Sequence, residues 1–133
     1  MRRVRLAALL ALGASLAALA ASNASYDLPQ RTELKRADLS GAPDMEVITS
    51  ISEFKPGEGI PRHSHHGIES GYVLQGALVQ VPGQAPGMLA TGTAIQNLRD
   101  VPHAGFTVVG DTSLKLLTVH VVDKHKPLYE WVN

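Results

Sequence analysis

At 133 residues the chain has room for one domain. Twelve Lys and Arg balance twelve Asp and Glu, so there is no basic excess of the kind nucleic-acid binding requires, and no nucleic-acid partner is expected. No Cys is present, which excludes disulfides and a lipid carried on a cysteine.

The chain opens on Arg2, Arg3 and Arg5, followed by a run from Leu6 to Ala20 made almost wholly of Ala and Leu. Small residues follow, with Ser22-Asn23-Ala24 as a cleavage site and Ala18-Leu19-Ala20 as the alternative. This is the pattern of a secretory signal peptide, read here over residues 1–24. The competing reading, an uncleaved anchor, is disfavoured because the run is short for a membrane span of about 20 residues. The expectation is export to the periplasm or the medium, with no stable membrane anchor after cleavage. Cleavage removes three basic residues and no acidic one, leaving nine against twelve, a net charge near −3. A domain over residues 25–133 buries only about two-thirds of its unfolded surface. A homodimer would add burial, and a bound metal would add folding energy.

Ser25 to Gly41 is polar and mixed, with Leu28, Leu34 and Leu39 available to tack it onto the domain. Met45 to Phe54 is rich in β-branched residues and reads as a strand. Lys55 to Gly59 is a turn, Ile60 to His65 is extended, and Ile68 to Leu74 is a strand. Gln75-Gly76 reads as a hairpin turn into a strand over Ala77 to Val81. The Pro- and Gly-bearing loop over 82–87 leads to short strands at Met88 to Ala90 and Ala94 to Leu98. Val101 to Val109 is predicted as one strand, Gly110-Asp111 as a second hairpin turn, and Leu114 to Val122 as a strand. Lys124 to Asn133 is a tail. No stretch after the signal peptide carries a 3.6-residue apolar period over a useful length. Short strands punctuated by Gly and Pro predict an all-β sandwich or barrel.

The chemistry concentrates between Gly57 and Gly76. His63 and His65 are two apart, and side chains at that spacing on a strand share a face. Gly67 allows a bend, after which Glu69 brings a carboxylate to the same point. Imidazole and carboxylate together suit a divalent transition metal such as Fe, Mn, Ni, Co or Zn. His103, just after the Arg99-Asp100 turn, is the best remaining histidine to close the set from another side. His66 points opposite to His65 and His125 lies in the charged tail; both read as solvated. His120 shares parity with Leu114, Leu116 and Val122, so it is either a core histidine or a pocket residue. One of Gln96 and Asn97 faces inward and is a candidate partner for a ligand imidazole. No nucleophile constellation and no phosphate-binding glycine loop is found.

These residues carry a resemblance. Gly57, His63, His65, Glu69 and Gly76 stand at the spacings of the first motif of the cupin superfamily. Gly92 and His103 match its second motif, in which Leu98, Asp100 and Thr107 replace the usual Pro, Gly and Asn. Val121 to Leu128 resembles the end of small single-domain bacterial cupins, so the likeness spans about Leu34 to Leu128. It implies a double-stranded β-helix, or jelly roll, with a metal held by His63, His65, Glu69 and His103. Cupins include dioxygenases, isomerases, lyases and decarboxylases, and also proteins that bind without chemistry. A mostly apolar pocket is expected, with Ile95, Val101, Leu114 and Leu116 among its strand side chains. Only Arg62 and Arg99 lie near the motifs, which favours a small neutral or enolisable organic molecule over a sugar phosphate. The leading reading is an exported metalloenzyme resembling the quercetinase-type dioxygenases. The alternatives are a metal-dependent lyase or isomerase, and a periplasmic metal- or ligand-binding protein.

Overall fold

The computed structural model describes residues 27–103 and 105–133; the predicted signal peptide lies outside them. In chain order the strands are β1 (Arg31–Asp38), β2 (Met45–Phe54), β3 (Gly59–Ile60), β4 (His63–Ser64), β5 (Gly67–Gln75), β6 (Ala77–Gln80), β7 (Gly87–Leu89), β8 (Ala94–Asn97), β9 (Phe106–Val108), β10 (Leu114–Asp123) and β11 (Glu130–Trp131). A five-stranded sheet runs β1-β2-β10-β5-β8, a four-stranded sheet β3-β9-β6-β7, and β11 pairs with β4. Every pairing is antiparallel. Phe54, Val73, Leu114 and Leu116 from the first sheet meet Ile60, Ala77 and Val108 from the second in one core. Phe54 packs edge-on to Phe106 across it, with ring centroids 5.1 Å apart. This is a double-stranded β-helix.

Alternation on the two long central strands sorts core from surface. On β10, Leu114, Leu116, Thr118, His120 and Val122 are buried while the residues between them are only partly covered. Opposite them on β2, Ile48, Ser50, Ser52 and Phe54 are buried. The inner face is therefore apolar at its ends and polar in the middle, where Ser50, Ser52, Thr118 and His120 lie. A polar group inside a sandwich is costly unless it is paired, so this polar band marks the part of the barrel not built for packing alone.

Five expectations are corrected. Gln75-Gly76 and Gly110-Asp111 are not hairpin turns: β5 and β6 lie in opposite sheets, as do β9 and β10. Turn residues announce a change of direction without saying which sheet the chain enters. At Gly76 a side chain would collide with the backbone of Leu89 and Thr91, so glycine is what lets the corner close. The strand expected over 101–109 shortens to β9. Asp100 takes a left-handed backbone (φ 57) and Pro102 offers no N–H, so this stretch crosses the barrel irregularly. The polar segment after residue 25 contains β1, and the tail contains β11.

Candidate metal centre

Backbone pairing brings the two histidine-bearing stretches together. His63 and His103 form an isolated antiparallel bridge, with N–H···O distances of 3.3 and 2.9 Å. Glu69 enters from β5, whose first residue, Gly67, lies against the Val121 carbonyl so closely that any β-carbon would collide with it. Gly67 thus serves close approach of β5 to β10 rather than a bend, and it sets the depth at which Glu69 points inward. His63, His65, Glu69 and His103 each offer a ligand atom, and all four atoms lie within 4.8 Å of one another. The four residues expected from the sequence are brought together, and they could hold a metal ion.

The hydrogen bonds decide which nitrogens face the centre. Nδ1 of His63 lies 2.8 Å from the Pro61 carbonyl, Nδ1 of His65 2.6 Å from that of Leu128, and Nδ1 of His103 3.2 Å from that of Val101. A carbonyl only accepts, so each Nδ1 carries a proton, and each Nε2 is the ring nitrogen that faces the centre. Two of those nitrogens, Nε2 of His63 and Nε2 of His103, are 2.8 Å apart, and Nε2 of His65 is 3.1 Å from Oε2 of Glu69. Lone pairs converging at such distances repel unless a cation, a metal or a proton, lies among them. The donor set therefore fits a divalent transition metal.

The charges follow the same logic. Burial pushes the His63 imidazole down to about 4 and also lowers His103, so both are uncharged at neutral pH, the form in which they could serve as ligands. Burial alone would raise the Glu69 carboxyl, but contacts from His65, His120 and Asn97 outweigh it and hold it at about 2. Asn97 is the inward member of the Gln96-Asn97 pair, and its Nδ2 donates to Oε2 of Glu69 at 2.7 Å. It holds the carboxylate, not an imidazole as expected.

The tail, which no expectation placed at the site, lies against it. Leu128 orients His65, and Tyr129 lies edge-on to His63 and His65 with ring centroids 5.2 and 5.3 Å away. Trp131 stacks on Tyr129 with its ring plane 3° off parallel. His66, expected to be solvated, bridges Asp100 and Glu130, each 3.1 Å away, and so ties the tail to the turn before His103. His120 is a core residue rather than a pocket residue, and an unsatisfied one: among the described residues neither ring nitrogen has a hydrogen-bond partner.

The cluster opens on a cavity of about 180 Å³ lined by Phe54, Leu89, Ile95, Phe106, Leu116 and Tyr129, with Ser52, Asn97 and Thr118 as polar lining. Ile95 and Leu116 face it as expected; Leu114 is instead in the core, and Val101 is exposed. A larger charged cleft of about 520 Å³ lies between β1 and the tail. Its Arg31, Arg36 and Lys124 are paired with Asp27, Glu46 and Asp38, whereas the histidine cluster lines the smaller cavity.

Comparison with known proteins agrees with this architecture. No protein of curated function matches the sequence. Among solved structures, the polyketide cyclase RemF from Streptomyces resistomycificus is 22% identical, over 79% of this chain and 74% of its own, with a TM-score of 0.53. An uncharacterised Klebsiella pneumoniae protein with a double-stranded β-helix domain is 15% identical, over 84% and 95%, with a TM-score of 0.56. An oxalate oxidase bound to the substrate analogue glycolate is 21% identical, over 80% of this chain but 58% of its own length, with a TM-score of 0.52. At these identities the likeness is one of fold. The family model for the cupin domain matches residues 50–120, more than half of the chain, from within β2 to His120, and the protein therefore belongs to the cupin family.

Proposed function

We propose that this chain is an exported, metal-dependent cupin enzyme acting on a compact organic molecule, and that its reaction is oxidative, of the dioxygenase type. The observation that carries the reading is the place of the cluster, at one end of a mostly apolar cavity of about 180 Å³. His63, His65, Glu69 and His103 would hold one divalent metal. Bound there, it would supply Lewis-acid polarisation of a substrate oxygen and, if redox-active, electron transfer. The chain's own groups do the rest. The carbonyls of Pro61, Leu128 and Val101 fix the imidazoles, Asn97 holds the carboxylate, and Phe54, Leu89, Ile95 and Phe106 exclude water around the substrate.

Size and charge narrow the substrate. Sites for drug-sized molecules run to about 300–1,000 Å³, so the cavity favours a diketone-sized molecule over a three-ring flavonol. Among the described residues no Lys or Arg lines it, which argues against a phosphorylated substrate. Apart from the cluster, the titratable side chain on the wall is Tyr129. Burial raises its phenol, so it stays protonated at neutral pH and is a poor acceptor of protons. That favours chemistry at the metal over a proton shuttle. The place of Tyr129 on the cavity wall is the one observation in favour of the second reading, a metal-dependent lyase or isomerase in which it handles a proton, although the raised phenol makes it a weak acid.

The test is oxygen uptake by Fe(II)-loaded protein across a panel of small diketones and keto acids, beside anaerobic turnover by the Zn(II) or Mn(II) form. Oxygen consumption that survives Tyr129→Phe supports the oxidative reading. Anaerobic turnover abolished by Tyr129→Phe supports the lyase or isomerase. Stoichiometric metal without turnover leaves a binding protein, and failure to retain metal sinks all three. N-terminal sequencing of the exported fraction checks cleavage near residue 24; protein retained in the cytosol with Met1 intact would overturn export.

A further inference from the structure

We infer that His120 is a positioning residue that holds Glu69 to the cluster through one carboxylate oxygen. The inference rests on the metal-site reading above. His120 sits on β10 directly opposite Glu69 on β5, and it is fully buried, at 0% exposure. The two Glu69 oxygens have different surroundings. Oε2 faces the cluster, 3.1 Å from Nε2 of His65 and 3.7 Å from Nε2 of His103, and takes the Asn97 amide at 2.7 Å. Oε1 faces away, 3.5 Å from Nε2 of His120. That contact is too long or misdirected for a hydrogen bond, and both His120 nitrogens lack a partner.

An unpaired imidazole in a barrel interior is a poor packing element, because its buried polar atoms forgo water and gain nothing in return. A phenylalanine would fill the same space without that cost. What the imidazole adds is a donor beside the oxygen that the cluster does not use. A cation drawing on Oε2 leaves Oε1 as the free acceptor of the carboxylate, and His120, carrying its proton on Nε2, is placed to occupy it. Glu69 would then offer a metal one oxygen only, which would leave room there for a substrate atom. Outer partners of this kind govern ligand orientation and metal affinity.

The experiment compares the protein with His120→Phe and His120→Gln. Gln can extend an N–H to about the reach of Nε2, whereas Phe packs but cannot donate. The metal-free melting temperature should rank Phe at or above Gln. Co(II) affinity should rank the other way: Gln within about threefold of the original and Phe weakened about 10–100-fold, with a changed Co(II) visible spectrum in the Phe variant only. If Phe ranks at or above Gln in both measurements, or if its Co(II) affinity and spectrum match the original, the inference is overturned. If the original protein itself binds no Co(II), the metal-site reading fails first and the inference falls with it.

Discussion

Acid should unfold the metal-free protein over a pH range set by its buried histidines. Burial pushes the His120 imidazole down from 6.5 to about 4. The unfolded chain takes up this proton near pH 6.5 and the folded chain only near pH 4, so between those values the unfolded state binds more protons. The contribution is fully present above pH 6.5 and is lost as pH falls toward 4. A gap of that size corresponds to about 3 kcal/mol at 1.36 kcal/mol per pH unit. His63 is also pushed down to about 4 by burial; it borders the cavity, where solvent screens it, and about half as much is assigned to it. Glu69, held at about 2, has the same sign and is lost only below 4.5. A loss of about 4 kcal/mol by pH 4.5 is a large share of a typical 5–15 kcal/mol total. Urea unfolding in the presence of a chelator at pH 7.5, 6.0 and 4.5 measures it, with His120→Phe alongside. The variant should lose roughly a third as much as the original over the range. Parallel pH dependences for the two proteins, or no dependence in either, would refute the reasoning.

His65→Ala should lower bound metal from one per chain to less than about one-fifth while the far-ultraviolet spectrum keeps its β signature, since β4 and β5 are held by backbone pairing; full metal stoichiometry by elemental analysis would sink the site assignment. Gly71→Val should leave metal content unchanged but fill the cavity. A β-carbon there already meets Cβ of Ile95 at 3.4 Å and Cγ2 of Thr118 at 3.7 Å. Calorimetric titration of the best ligand of the diketone panel should show at least tenfold weaker binding, and unchanged affinity would place the substrate elsewhere.

The parts of this molecule that were legible in its sequence are those in which a side chain does the work. Period-two alternation located β2 and β10 because their inner faces pack a core, and the residue spacing located His63, His65, Glu69 and His103 because imidazole and carboxylate are the chemistry. The sheet assignment of consecutive strands was not legible at Gln75-Gly76 or Gly110-Asp111. A corner between sheets and a hairpin within one use the same turn residues, and only the long-range pairing tells them apart. His120 carried a period-two signal for burial but none for its alignment with Glu69, which follows from the register of β5 on β10.

The tail is the instructive omission. What Leu128 contributes is a carbonyl, which every residue has, so no residue type could announce it. Yet that carbonyl decides which nitrogen His65 turns toward the centre, and β11 puts Tyr129 and Trp131 beside His63. His66 then fastens the same tail to Asp100, whose left-handed backbone leads into His103. The ligand motif names the atoms that could hold a metal, and for His65 the backbone of a segment about 60 residues downstream (His65 and Leu128 are 63 apart) selects the nitrogen that faces the centre. In this chain His65 is thus set by the segment that leads into the last strand as much as by the motif that contains it.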